Sequence, residues 1–144
     1  MKFATRTSPH AALPNTVTWQ MAQVLIALIP GIIALAWYFG YGVLINITIA
    51  ACTAVLGEAL VLKLRGREIR GTLADLSAIV TAVLLGMALP PLMPWWMTVS
   101  ATIFAIIFVK HMYGGLGYNP FNPAMAGYVL LLVSFPLSMT QWLA

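Results

Sequence analysis

Five apolar runs, almost free of charged residues, restrict the folds open to this chain more than any other feature. They cover residues 19–39, 41–62, 72–92, 95–112 and 121–135. Only 7% of the 144 residues are charged, whereas about a quarter are charged in an average soluble domain. At a helical rise of about 1.5 Å per residue, the first four runs can cross the roughly 30 Å hydrocarbon core of a bilayer, and the fifth falls slightly short. The sequence therefore predicts an all-α polytopic membrane protein with about five transmembrane helices.

The order of polar and apolar segments predicts a simple domain organisation. Residues 1–18 form a polar cytoplasmic lead, and residues 19–144 form the five-helix transmembrane domain. Because five is an odd number, a second copy of the unit would enter the membrane inverted, and two such copies make the inverted-repeat architecture of many transporters. We therefore expect this chain to be the truncated first half of a larger subunit. Cys52 is the only cysteine, so neither a disulfide nor a cysteine metal site is predicted.

The basic residues predict the topology. They are Lys2, Arg6, Lys63, Arg65, Arg67, Arg70 and Lys110. All of them fall on one side of the membrane if the chain crosses five times, and the turns at 40–42 and 90–94 on the other side have none. By the positive-inside rule, the amino terminus is cytoplasmic and the carboxy terminus lies outside. The net charge of +4 is thus explained by topology and contact with anionic lipid, and no nucleic-acid partner is expected.

Two acidic residues lie within or beside the apolar runs. Glu58 is either paired with Lys63 or Arg65 of the following loop, or has a role in ion or proton passage, because intramembrane carboxylates are costly and usually functional. Asp75 precedes the third helix and is interpreted as its N-cap or as a partner of Arg70.

Small residues predict where helices approach one another. Ala50, Ala54 and Gly57 lie on one face of the second helix and favour close packing. Ser77 and Thr81, four residues apart, share a face of the third helix. That face either packs against a helix, which we favour, or hydrogen-bonds a polar ligand.

The stretch YGGLGYNPFNPAMA, residues 113–126, interrupts the apolar pattern. Asn is a preferred N-cap and proline is preferred at the first helical position, so Asn122 and Pro123 predict a helix start. From there to Phe135 is about 13 residues, or roughly 20 Å. The segment is either a tilted helix or the second half of a broken helix whose amino terminus faces a ligand at membrane depth.

The motifs YGGLGYNPFNPAMAGYVLLLVSFP, SAIVTAVLLGMALPPLMPWW and GEALVLKLRGREI together resemble the amino-terminal part of the D subunits of Rnf electron-transport complexes. The match covers essentially the whole chain in order. A more distant similarity is to the B subunits of sodium-translocating NADH:quinone reductases, which share a GG-x-G-x-N-x-x-NPA pattern. It is met here by Gly114, Gly115, Gly117, Asn119, Asn122, Pro123 and Ala124.

This resemblance implies a fold of about ten transmembrane helices in two inverted halves, similar to urea transporters. It implies a flavoprotein of the bacterial inner membrane, with FMN attached through its phosphate to a threonine and riboflavin in some relatives. The complex would couple electron transfer between NADH and ferredoxin to movement of Na⁺ or protons. Its other Rnf subunits, with iron-sulfur clusters and further flavins, would be the partners.

The resemblance also assigns expected sites. Candidates that line the flavin or ion region are Gly114, Gly115, Gly117, Asn119, Asn122 and Pro123. An acid aligned with Glu58 is linked to ion coupling in the quinone-reductase relatives. The Ser/Thr-Gly-Ala-Thr type motif that receives FMN does not occur in this sequence, so covalent FMN is not expected on this chain. No catalytic side chain and no metal site are predicted, because the flavin itself does the redox chemistry.

Three functions remain open at this point. The first is a membrane subunit of a redox-driven ion pump, which would not be catalytic as this chain alone. The second is half of a passive or secondary transporter, in which the same turn lines a substrate pore. The third is a structural assembly module without a site of its own.

Overall fold

The computed structural model describes residues 17–112 and 119–142, apart from the side chain of Arg70. This part of the chain is helical and has no β-strand, which confirms the predicted all-α class. The elements are α1 (Val17–Phe39), α2 (Gly42–Leu64), α3 (Ile69–Leu73), α4 (Ser77–Ala88), α5 (Trp95–Ile103), a π-helix (Phe104–His111) that continues α5, α6 (Pro123–Ser134) and α7 (Pro136–Met139).

The first two helices are long and apolar enough to cross a membrane. Each has 23 residues, which corresponds to about 35 Å at helical rise. Only Gly40 and Tyr41 separate them, and Gly40 has a φ of 77°. Glycine adopts this left-handed conformation without steric cost, so the chain can reverse between two long helices within two residues. The turn that the sequence places at residues 40–42 is confirmed.

The other apolar helices are shorter than the runs that predicted them. The run at 72–92 forms α4 only between Ser77 and Ala88, which is about 18 Å of helix. Leu76, with a left-handed φ of 61°, separates α3 from α4. The consecutive prolines Pro90 and Pro91 lie just beyond α4 and lack the amide donors that would continue it.

Helix α2 lies at the centre of the packing. Its contact with α4 is more extensive than the contact between any other two helices. Its buried residues recur every three or four positions: Val43, Asn46, Ala50, Ala54, Glu58 and Leu62. Ala50 and Ala54 are fully buried and cluster with Ala78, Ala82 and Ile106. The predicted packing role of these two α2 alanines is confirmed, because their small side chains let neighbouring backbones come close.

Helices α2 and α4 pack tightly against each other at Gly86. A Cβ atom at this position would lie 2.7 Å from the Cα of Ile47. Gly57, which the sequence also indicated as a packing residue, is different, since a Cβ there would meet Ile106 Cγ2 at 3.9 Å. This is ordinary van der Waals contact, so the packing is tight at Gly86 but not at Gly57.

Much of the outer surface is apolar. None of the residues of α1 is fully buried, and large side chains such as Ile33, Trp37 and Tyr38 are mostly exposed. A soluble monomer rarely exposes so much contiguous apolar surface, whereas lipid or a neighbouring subunit can cover it. The surface agrees with a membrane protein.

Candidate functional site

A fully buried carboxylate on α2 is the centre of the candidate site. Glu58 has 0% of its surface exposed, and its Oε1 accepts a hydrogen bond from the Lys110 ammonium at 2.5 Å. Lys110 comes from the π-helix and is itself only 2% exposed. The two residues are 52 positions apart in sequence. The structure thus places a complete ion pair between α2 and the continuation of α5.

The prediction that Glu58 pairs with Lys63 or Arg65 is wrong. Lys63 and Arg65 are both exposed. Lys63 follows Glu58 by five residues, which turns it about 140° around the helix. Arg65 follows by seven residues and lies beyond the end of α2, about 10 Å further along the axis. Neither residue therefore lies next to Glu58 on the buried face of α2.

Lys110 has a second acceptor on α4. Its ammonium lies 2.7 Å from Ser77 Oγ, and the Ser77 hydroxyl donates to Asp75 Oδ1 at 2.6 Å. The backbone N–H of Ser77 donates to the same Asp75 oxygen at 2.8 Å. Asp75 thus supports the start of α4, although Leu76 is the N-cap residue and the helix begins one position later than an Asp75 cap predicts. The alternative partner, the Arg70 side chain, lies outside the described part of the structure.

His111 adds a further ionisable group. Its Nε2 lies 3.5 Å from Glu58 Oε1, and the residue is 5% exposed. Within the described residues, Glu58 Oε2 and His111 Nε2 are buried without a hydrogen-bond partner. Buried polar atoms are nearly always hydrogen-bonded, and exceptions concentrate where an ion or water binds or where a group has a functional role. The unpaired oxygen makes Glu58 a candidate site residue, in addition to its place in an ion pair.

The π-helix explains how two neighbouring side chains reach the same interior. Val109, Lys110 and His111 are consecutive and all buried. In an α-helix three consecutive residues spread over about 200° of the helix surface. The i→i+5 pattern of a π-helix makes a wider turn and spreads them less, and such segments occur frequently at functional sites. Sequence periodicity did not indicate this segment, since nothing in the run 95–112 distinguishes a π-turn from an α-turn.

The predicted face of Ser77 and Thr81 has two different roles. Both residues are buried. The Thr81 hydroxyl donates to the Ser77 carbonyl oxygen at 3.0 Å, within its own helix, so Thr81 belongs to the packing. The Ser77 hydroxyl accepts from Lys110 and belongs to the polar site.

A second buried polar group lies on the same stripe of α2, about 18 Å from Glu58. Asn46 Nδ2 donates to the Pro90 carbonyl oxygen at 2.9 Å, and Asn46 Oδ1 accepts from the Thr98 hydroxyl at 3.1 Å. Thr102 donates to the Thr98 carbonyl oxygen at 2.7 Å. Both ends of the Asn46 amide are satisfied, so this cluster joins α2, the loop after α4 and α5 structurally. No pattern in the sequence predicted this cluster.

The predicted helix start at Asn122 and Pro123 is confirmed. The Asn122 side chain accepts a hydrogen bond from the Ala124 N–H at 3.0 Å, and Pro123 is the first residue of α6. Asn119 is half-buried. The candidate residues Gly114, Gly115 and Gly117 lie outside the described residues.

An open groove of about 560 Å³ runs along α6 beside the cap. Its lining is almost entirely apolar, and Asn122 and Ser134 supply the polar side chains among the described residues that form it.

Removing the Asn122 N-cap of α6 should lower the stability of the protein. Asn122→Ala should lower the free energy of unfolding by about 1 kcal/mol, because the Ala124 N–H loses its side-chain acceptor. Asn122→Asp keeps an acceptor and serves as the control. Thermal unfolding of both variants in detergent measures the difference, and equal midpoints for Asn122→Ala and the unaltered protein would contradict this role of the cap.

The polar cluster does not resemble a transition-metal centre. Within residues 17–112 and 119–142, no three His, Cys, Asp or Glu side chains come together in a way that could hold a metal ion. The groups in contact are a carboxylate, an ammonium and a hydroxyl. This chemistry suits the exchange of protons or of hard cations that take oxygen ligands.

Comparison with known proteins gives consistent matches. The sequence model of the NQR2, RnfD, RnfE family matches residues 4–144. The chain is 58% identical over all of its 144 residues to the D subunit of the ion-translocating oxidoreductase complex of Alcanivorax borkumensis. It is 57% identical over 144 residues to the protein of that name from Shewanella denitrificans, and 52% identical over 143 residues to the one from Escherichia coli O1:K1. It spans 41–42% of the length of these relatives.

Proposed function

The chain belongs to the NQR2, RnfD, RnfE family, and on this basis we propose that it forms part of a membrane subunit of a redox-driven, ion-translocating electron-transport complex. The relatives are named as the D subunits of ion-translocating oxidoreductase complexes. We propose the Rnf type, in which electron transfer between NADH and ferredoxin drives Na⁺ or protons across the membrane. The other subunits of that complex and the lipid bilayer would be its partners.

We propose that the subunit lies in the bacterial inner membrane with its amino terminus in the cytoplasm. Two helices of spanning length and the exposed apolar surface support membrane insertion. The cluster of Lys63, Arg65, Arg67 and Arg70, in and around the loop between α2 and α3, supports a cytoplasmic position for that loop. In this arrangement the chain crosses five times, ends on the periplasmic side, and forms one half of an inverted repeat.

The buried pair of Glu58 and Lys110 is the observation on which the proposal depends most. An ionised carboxylate inside an apolar helix is costly and usually marks an ion or proton pathway. The Glu58 side chain projects from α2 into the space that α2 shares with α4 and the π-helix. Its Oε2 is buried without a hydrogen-bond partner in the described residues. We propose that this carboxylate binds the transported proton or small cation.

The proposed flavin site is separate from the ion site at Glu58. The groove beside Asn122 has no Lys or Arg among its described lining residues that could pair with a flavin phosphate. We propose that the remainder of the full-length protein holds FMN, and riboflavin as well where the resemblance implies it, while the helices described here supply the ion site.

Glu58→Gln tests the proposal. In the full-length subunit, assembled in its complex in inside-out membrane vesicles, we expect ion uptake driven by electron transfer to fall at least about tenfold, because the neutral amide cannot hold the transported charge. Electron transfer measured with an uncoupler present reports whether the complex still assembles. Glu58→Asp keeps the carboxylate and should retain part of the ion uptake.

Unchanged ion uptake in Glu58→Gln would contradict a transport role for this residue. The two rival functions predict other results. Half of a passive transporter would show solute flux without a reductant. An assembly module would keep coupling in Glu58→Gln and in Asn122→Ala, and would lose it only when helix packing is disturbed.

A further inference from the structure

We infer that the Lys110 ammonium is a built-in occupant of a cation site, and that a small monovalent cation takes its place between Glu58 and Ser77 during transport. This inference rests on the proposed function of Glu58 in ion passage. It adds the regulation of the site, because one side chain of the protein competes directly with the transported ion. Lys110 thereby decides when Glu58 is open to an ion.

The surroundings of the ammonium have the chemistry of a cation site. Lys110 Nζ lies 2.5 Å from Glu58 Oε1 and 2.7 Å from Ser77 Oγ. Hard cations take carboxylate and neutral oxygen ligands, and a carboxylate can contribute both of its oxygens to one ion. Glu58 Oε2 is buried beside this position and has no hydrogen-bond partner in the described part of the chain. A cation at the ammonium position would therefore find three protein oxygens.

Charge balance links the two occupants. With Lys110 in place, the Glu58 carboxylate is neutralised, and the pair is almost completely excluded from solvent. A buried carboxylate without a partner is strongly unfavourable. Lys110 can therefore leave at low cost only when another positive charge enters, and a cation can stay only while Lys110 is withdrawn. The exchange is one charge for one charge.

The structure also provides an alternative position for the ammonium. Ser77 Oγ accepts a hydrogen bond from Lys110 and donates one to Asp75 Oδ1 at 2.6 Å. The Ser77 hydroxyl therefore connects the Lys110 ammonium to a second carboxylate, that of Asp75. Asp75 is half-buried at the start of α4 and is more open to solvent than Glu58. The flexible four-carbon stem of lysine allows the ammonium to move from Glu58 toward Asp75. Asp75 thus receives the charge that Glu58 releases.

The test is the cation dependence of thermal unfolding. The full-length subunit in its purified complex is compared with its Lys110→Met variant in choline chloride and in sodium chloride of equal ionic strength. In Lys110→Met the site has lost its internal occupant, so we expect sodium to raise the midpoint of unfolding by about 3 °C or more. In the unaltered protein the ammonium competes with sodium, and we expect a smaller shift.

Two control variants separate site binding from a general salt effect. Glu58→Gln/Lys110→Met lacks the carboxylate and should show no sodium shift. Lys63→Met removes an exposed lysine from the last turn of α2, and its response to sodium should equal that of the unaltered protein. If Lys110→Met does not assemble, Lys110→Gln is measured in its place under the same criteria.

Equal midpoints in choline and sodium for the Lys110 variant would overturn the inference, as would a sodium shift that persists in the double variant. Stabilisation of the Lys110 variant by acid alone, without any sodium effect, would also overturn it and identify a proton as the occupant. These results are independent of the vesicle experiment. Loss of ion uptake in Glu58→Gln together with no sodium shift would retain the ion role of Glu58 and reject the competition by Lys110.

Discussion

Lys110→Met is expected to lower the free energy of unfolding by about 3–5 kcal/mol in choline chloride, because it leaves the buried Glu58 carboxylate without a charged partner. The size of the effect follows from burial, since the side chains of the pair are 3% and 0% exposed. An exposed ion pair would contribute only about 0–1 kcal/mol. Denaturant titration of the full-length protein in detergent measures the change.

The double variant Glu58→Leu/Lys110→Met is the critical comparison. It removes both charges and fills the space with apolar side chains, so it should recover most of the stability lost in Lys110→Met. Lys63→Met, an exposed lysine near the same end of α2, should change stability by no more than about 0.5 kcal/mol. If the double variant is as unstable as Lys110→Met, the loss comes from packing and not from the unpaired charge.

Gly86→Ala should lower the free energy of unfolding by about 1–3 kcal/mol, because the added methyl group overpacks the contact between α4 and α2. The new Cβ would lie 2.7 Å from Ile47 Cα and 2.9 Å from Ile47 N. These are backbone atoms, so relief requires a shift of a whole helix and not the rotation of one side chain.

Gly57→Ala is the matched control for this variant. It adds the same methyl group to a helix of the same bundle, but the nearest atom, Ile106 Cγ2, is 3.9 Å away. We expect its unfolding midpoint to equal or exceed that of the unaltered protein, since alanine favours helix over glycine by about 1 kcal/mol. Similar losses in both variants would mean that the helix contact at Gly86 is not the determinant of packing.

Features that depend on neighbouring residues were predictable from the sequence. The apolar runs predicted the all-α class, and Asn122 followed by Pro123 predicted the start of α6, because a cap and its helix lie within a few residues of each other. The turn at residues 40–42 was predictable for the same reason. The length of α4 was not, because the break at Leu76 requires a left-handed conformation that leucine seldom adopts.

Features that depend on distant residues could not be predicted in the same way. The sequence identified Glu58 as unusual, but its partner Lys110 is 52 positions away and faces it from a π-helix. Nearby basic residues were therefore assigned to Glu58 in error. Gly57 and Gly86 are equivalent by local pattern, and only the packing of α2 against α4 distinguishes them. His111 and the Asn46 cluster required the three-dimensional structure for the same reason.

The position of Glu58 along α2 has an electrical consequence. Glu58 lies about 9 Å from the Leu64 end of the helix and about 24 Å from the Gly42 end. If Glu58 is the ion site proposed above and the voltage falls evenly along the helix, an ion that enters from the basic loop crosses about a quarter of the potential before it reaches the carboxylate. Moving one charge through 100 mV costs about 2.3 kcal/mol. Roughly three quarters of that electrical work therefore belongs to the release of the ion on the far side, so membrane voltage should slow release much more than entry.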